Sequence, residues 1–73
     1  MVTRLTPGQV AAERRRELRL TQEQLASAAN ISRSAIAHFE AGDRGFGPQR
    51  AKRLAAALGL DARTLVRPEL LID

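Results

Sequence analysis

Apolar positions along this chain recur three and four residues apart, in short runs divided by polar openings. The first opening is Thr6-Pro7-Gly8-Gln9. Thr6 is placed to cap free N–H groups, Pro7 suits the first helical position and Gln9 completes a capping box. Leu5 and Val10 flank the cap at the spacing of a hydrophobic staple. The helix is predicted to run to about Leu18, with Ala11, Arg15 and Leu18 on one face. An arginine on such a stripe needs a buried anionic partner or must reach out to water. Arg14 and Arg16 point elsewhere and are expected to be solvated.

The second run repeats the opening: Thr21 caps, Gln24 closes the box, and Leu20 and Leu25 form the staple. Leu25, Ala26 and Ala29 then face inward, their small size letting another helix approach closely. Asn30 ends this helix because asparagine tolerates the left-handed conformation of a sharp turn. Ser32 caps a third helix, with Ile31 and Ile36 as staple and Gly42 as stop. Its inner face carries Ile36 and Phe39. Its outer face carries Arg33, Ser34, Ala37, His38 and Ala41, with no large apolar side chain. Such a helix, held from behind and polar in front, has the make-up of a probe.

Glycines and Pro48 mark residues 43–48 as a loop, with Phe46 as a lid on the core. Pro48 opens a fourth helix whose Ala51, Leu54, Ala55 and Leu58 repeat at i, i+3, i+4 and i+7, and Gly59 closes it. Asp61 caps a brief fifth helix, with Leu60 and Leu65 as staple and Pro68 as stop. Residues 69–73 form a short apolar tail. Five short helices without a strand signal predict an all-α domain spanning 1–73, with a core over 6–66 and a tail over 67–73. There is no internal repeat, linker or low-complexity segment.

Composition narrows the function. At 73 residues there is room for one domain, and a chain this short must use its apolar residues efficiently or gain stability by dimerising. It has no cysteine and one histidine, so neither a disulfide nor a metal site is expected. No apolar run approaches the roughly 20 residues that span a bilayer, and no signal peptide opens the chain, so a cytoplasmic protein is expected. The net charge is +4, and of 12 basic residues only Lys52 is lysine. Arginine forks onto phosphate oxygens and guanine edges, so the balance favours a nucleic-acid partner. An arginine- and alanine-rich composition also arises from a GC-rich genome, so the bias is not decisive alone.

The combination L-T-Q-E-Q-L-A, then S-R-S-A-I-A-H-F-E-A-G, then L-A-A-A-L-G-L resembles the phage repressor and Cro type of helix-turn-helix protein, the xenobiotic-response-element family. The likeness runs from about Val10 to Val66. It implies a compact repressor-like domain whose helices two and three form the helix-turn-helix. It further implies base contacts in the major groove from Arg33, Ser34 and His38, with Ala37 small enough to approach a base edge. Phosphate contacts are implied for Gln22 and Ser32, and Gln22 is further implied to brace the recognition helix. Arg15 and Glu40 match a semi-buried salt bridge, which would supply the partner that Arg15 needs. Three positions depart from the family pattern: Arg19 stands where glycine is common, Asn30 replaces a turn glycine, and the 43–47 loop carries an acid among its glycines.

Weighed singly, a surface arginine is most often solvated, but Arg33 sits on the probe face, which favours a DNA contact. Ser34 and Ala37 are equally at home on an idle helix exterior. Ser34 and His38 lie four residues apart on an exposed helix, without a pocket or a third orienting group, so no catalytic role is expected. Among the remaining cations Arg44 and Arg50 are the candidates to hold phosphates. Two phenylalanines without tyrosine or tryptophan give little platform for stacking single-stranded bases. The expected function is therefore sequence-specific binding of double-stranded DNA by a homodimeric repressor or autoregulator reading a pseudo-palindromic operator. No cofactor is expected. With no separate dimerisation domain in view, Leu65, Val66, Leu70, Leu71 and Ile72 are the candidate dimer contacts, the competing possibility being a tail folded onto its own core. The alternative function is a protein-interaction module of the same fold, an antitoxin or bridging partner whose main ligand is a toxin or RNA polymerase.

Overall fold

The polar openings close the helix starts as their spacing predicts. The Gln9 N–H donates to Thr6 Oγ1 at 3.1 Å while the Thr6 N–H donates to Gln9 Oε1 at 2.8 Å. Thr21 and Gln24 build the same reciprocal box, and Ser32 Oγ accepts from the Ala35 N–H. In the computed structural model, which describes residues 5–66, these caps start α1 (Pro7–Glu17), α2 (Gln22–Ala29) and α3 (Arg33–Ala41). α4 (Pro48–Leu58) starts on Gly47 without a side-chain cap, its proline occupying the first turn. The last element is shorter than an α-helix. The Asp61 carboxylate accepts from the backbone and side chain of Arg63, leaving one 3-10 turn, Ala62–Leu65, in place of the fifth helix. No described helix is long and apolar enough to cross a membrane.

Two non-glycine residues adopt the left-handed conformation, Arg19 at φ 59° and Asn30 at φ 56°. Asn30 carries it readily as the cap of α2. Arg19 has no such excuse, since its Cβ crowds the backbone there. The corner after α1 is nevertheless fully bonded: the Arg19 N–H donates to the Arg16 carbonyl and the Leu20 N–H to the Arg15 carbonyl, both at 3.0 Å. Leu18, expected on the inner stripe, ends up exposed because the helix stops there and the chain turns away. Leu5 is also exposed, so the staple expected at the start of α1 buries little.

The core gathers Leu25, Ile36, Phe39, Leu54, Leu58 and Leu65, all essentially inaccessible, with alanines at the helix crossings. α1 packs on α3, α2 on both α3 and α4, and the 3-10 turn on α1 and α4. The α1–α3 crossing is tight. A β-carbon at Gly8 would overlap the Phe39 carbonyl, so only glycine lets the two backbones meet. The Phe46 ring lies parallel to Phe39, with centroids 4.3 Å apart, and seals the core at the loop. Leu65 and Val66 correct an expectation: packed beside α1 and α4, they belong to the chain's own core and do not offer a free dimer face. Leu70, Leu71 and Ile72 lie outside the described residues.

Arg14 gives a second correction. Rather than pointing into solvent, its Nε donates to the Leu58 carbonyl at 2.9 Å and its Nη1 reaches Glu17. It therefore satisfies a carbonyl left open at the end of α4 and ties the first helix to the fourth.

Candidate nucleic-acid interface

α3 has two unlike faces. Ala35, Ile36 and Phe39 are buried, whereas Ser32, Arg33, Ser34, His38 and Ala41 are exposed and Ala37 is half-buried. What fixes the helix is polar as well as apolar. Arg15 Nε donates to Glu40 Oε2 at 2.8 Å and Arg15 Nη2 to Glu40 Oε1 at 3.0 Å, a two-pronged pair between α1 and α3. Gln22 Nε2 donates to Glu40 Oε1 at 3.0 Å from the start of α2. Arg15 Nη1 completes the network by donating to the Leu20 carbonyl at 2.8 Å. One carboxylate thus joins three helices and the corner between the first two.

Burial by itself would raise the Glu40 pKa, but the hydrogen bonds from Arg15 and Gln22 and the charges of Arg15 and Arg16 outweigh it, and the net shift is downward. The hydrogen bond to Glu40 raises the Arg15 pKa in return, against a smaller opposing effect of burial. Both groups are therefore charged across the physiological range. Their side chains are only 13% and 7% exposed, so each depends on the other for compensation.

The remaining site candidates are arranged around this brace. Gln22 engages Glu40 with one of its two amide donors, leaving the other unassigned. The resemblance implied that Gln22 both holds a phosphate and braces the recognition helix, and its bond to Glu40 is such a brace, with the partner atom set by the three-helix packing. Ser32 accepts a bond as cap, and its hydroxyl proton remains free to donate. Arg33 lines a hollow with Arg15, Thr21, Gln22 and Glu23, where the three helix ends meet. At the other end of α3, His38 Nδ1 lies 3.5 Å from Asp43 Oδ2. Arg44 lines a small cleft with Pro7, Phe39, Phe46 and Leu65. The Arg50 guanidinium stands over the Phe46 ring, 5.7 Å from its centre, which restrains that cation at the start of α4. Among the described residues no group of histidines and carboxylates could hold a metal ion.

Comparison with known proteins agrees with this architecture. The sequence profile of the helix-turn-helix family matches residues 12–65, from within α1 to the end of the 3-10 turn. The crystal structure of the restriction-modification controller protein C.AhdI from Aeromonas hydrophila is similar, with a TM-score of 0.75 and 34% identity. That similarity covers 81% of this chain and 89% of the controller. No curated protein sequence matches the chain. A capped probe helix braced by a semi-buried ion pair, the matching family profile and the controller structure converge on one identity: the chain belongs to the helix-turn-helix family, in its phage repressor and Cro branch, and is a DNA-binding transcriptional regulator.

Proposed function

We propose that this regulator binds a specific double-stranded site as a homodimer, with α3 of each copy in the major groove. The observation that carries the reading is the exposed row Arg33, Ser34 and His38 on a helix immobilised from behind by Arg15, Glu40 and Gln22. Immobilisation matters because a base-reading side chain discriminates only if its backbone does not yield to the wrong sequence. Arg33 donates to guanine O6 and N7, Ser34 and Ala37 approach base edges, and His38 bonds a further edge. The second amide donor of Gln22, the hydroxyl of Ser32, and the guanidinium groups of Arg44 and Arg50 hold phosphates and set the register. One short helix contacts few base pairs, so two copies spaced by about 34 Å along the duplex read a pseudo-palindromic operator. In the dimer, Leu70, Leu71 and Ile72 supply apolar contacts. The chain acts as a repressor or autoregulator, and its likeness to C.AhdI supports a place in the control of restriction-modification genes.

Selection from random duplexes, followed by affinity measurements at two salt concentrations, tests the reading. A two-fold symmetric motif and a steep loss of affinity with salt are expected. Arg33→Ala should weaken binding to the selected site about ten-fold or more while leaving random DNA little affected. Weak, motif-free binding would favour a protein ligand, such as a toxin or RNA polymerase, over an operator.

A further inference from the structure

We propose that Asp43 is a positioning residue for His38, and that the pair reads one base pair of the operator with a hydrogen-bonding polarity set by pH. The inference rests on the groove-reading role of α3 proposed above. The chain's one histidine stands half-exposed on the outer face, one turn beyond Ser34, with Nδ1 3.5 Å from Asp43 Oδ2. Asp43 is held there by the backbone. Gly42 turns left-handed at φ 87°, and the Asp43 N–H then donates to the His38 carbonyl at 2.9 Å. A carboxylate at the rim of a surface that meets a polyanion repels phosphates unless a cation stands beside it. Once protonated, His38 supplies that cation.

The chemistry follows from which ring nitrogen faces the acid. A carboxylate beside Nδ1 favours the proton on Nδ1, and Nε2 is left pointing away from Asp43. In the neutral ring Nε2 is then an acceptor, suited to the amino groups of cytosine or adenine. When the ring takes up a proton from solvent, Nε2 becomes a donor, suited to guanine O6 and N7 or to thymine O4. Imidazoles change charge between about pH 5 and 8, so both readings lie within reach of ordinary conditions.

The other charged groups on the elements around α3 are placed elsewhere. On α1, Arg14 bonds Leu58 and Glu17, Arg15 bonds Glu40, and Glu13 and Arg16 line a hollow beside Glu40. On α2, Glu23 shares a hollow with Arg33, and in the loop Arg44 lines the cleft beside Phe46. Asp43 is the acidic group paired with the imidazole.

The test is selection of random duplexes by the full chain at about pH 6 and about pH 8, for wild type, Asp43→Asn and His38→Gln. Affinities for the two best duplexes are then measured across that range. In the wild type one symmetry-related position should change its preferred base pair with pH. The ratio of the two affinities should shift about ten-fold, the worth of one charge-assisted hydrogen bond. His38→Gln should show a single preference at both pH values, because an amide does not titrate there. Asp43→Asn should lose most of the shift, since a neutral amide does not fix the tautomer. A wild-type motif that is the same at both pH values overturns the proposal, as does an Asp43→Asn profile identical to wild type. Failure to enrich any motif at either pH overturns the groove-reading role itself, and the proposal with it. Thermal melts of the two variants should match wild type, so a changed preference is not a folding defect.

Discussion

Two acid–base side-chain pairs lie on opposite faces of α3 and differ in almost every physical respect. Arg15 and Glu40 meet through two short hydrogen bonds, are largely shielded from water, and recruit Gln22 and the Leu20 carbonyl. His38 and Asp43 meet through one long contact, with side chains 52% and 68% exposed. The first pair holds a helix, because removing either partner strands a charge that is largely shielded from water. The second holds nothing against unfolding, because water replaces it at little cost. That leaves it free to respond to whatever approaches the outer face. In one short helix, stability is concentrated behind and adaptability in front.

The largest effects should come from breaking the inner pair. Glu40→Ala or Arg15→Ala should each cost about 3 kcal/mol, a large share of the stability of a domain this small. Urea unfolding would check it, and a double variant no worse than either single one would show that the two charges act as a unit. If either single variant unfolds like wild type, the contrast between the two pairs collapses. Gly8→Ala, on the same side of α3, should cost about 2 kcal/mol by forcing α1 away from the Phe39 carbonyl. Its melting temperature should fall while the outer face keeps its composition.

Acid should discriminate between the pairs as well. The Glu40 pKa is lower in the fold than in the unfolded chain, so its contribution is complete above the ordinary carboxylate value, 4.5. It is lost as pH falls through the depressed value. Unfolding measured down the acid range should therefore show stability declining below about pH 4.5, with Glu40→Gln flattening that part of the decline. Asp61, held down to about 2 by its bonds to Arg63, adds a further loss at still lower pH. A smaller gain is expected at the corner that the brace supports: Arg19→Gly should stabilise the fold by up to about 1 kcal/mol. Relief of the left-handed strain there exceeds the added freedom of the unfolded chain. Smallest of all, His38→Gln and Asp43→Asn should each change stability by less than about 0.5 kcal/mol. A larger loss in either would mean that the outer pair is structural after all.

Much of this could be read from residue order because it depends on neighbours in the chain. Thr6 with Gln9, Thr21 with Gln24 and Ser32 with Ala35 are local contacts whose geometry a helix start imposes. The left-handed stops at Asn30 and Gly42 and the buried stripe of α4 are local in the same sense. The strain at Arg19 was foreseeable from the family resemblance. Arg14 was not, because nothing near it in sequence announces the Leu58 carbonyl 44 positions away. Nor did the apolar character of Leu65 and Val66 reveal which surface would cover them. Leu18 satisfied the helical period yet became exposed, because the helix ended one residue before it.

The outer face of α3 shows the same division. Sequence alone determined that Arg33, Ser34 and His38 share one face, since helical periodicity dictates it. It also marked Arg15 as an arginine in need of an anion. The resemblance named Glu40 as that anion; only the tertiary structure decided that Gln22 would join Arg15 on the same carboxylate, and that Gly42 would fold Asp43 back onto His38. Periodicity assigns side chains to faces, whereas charge pairing depends on distances set by helix crossings and turns. Those distances exist only when the whole core has closed.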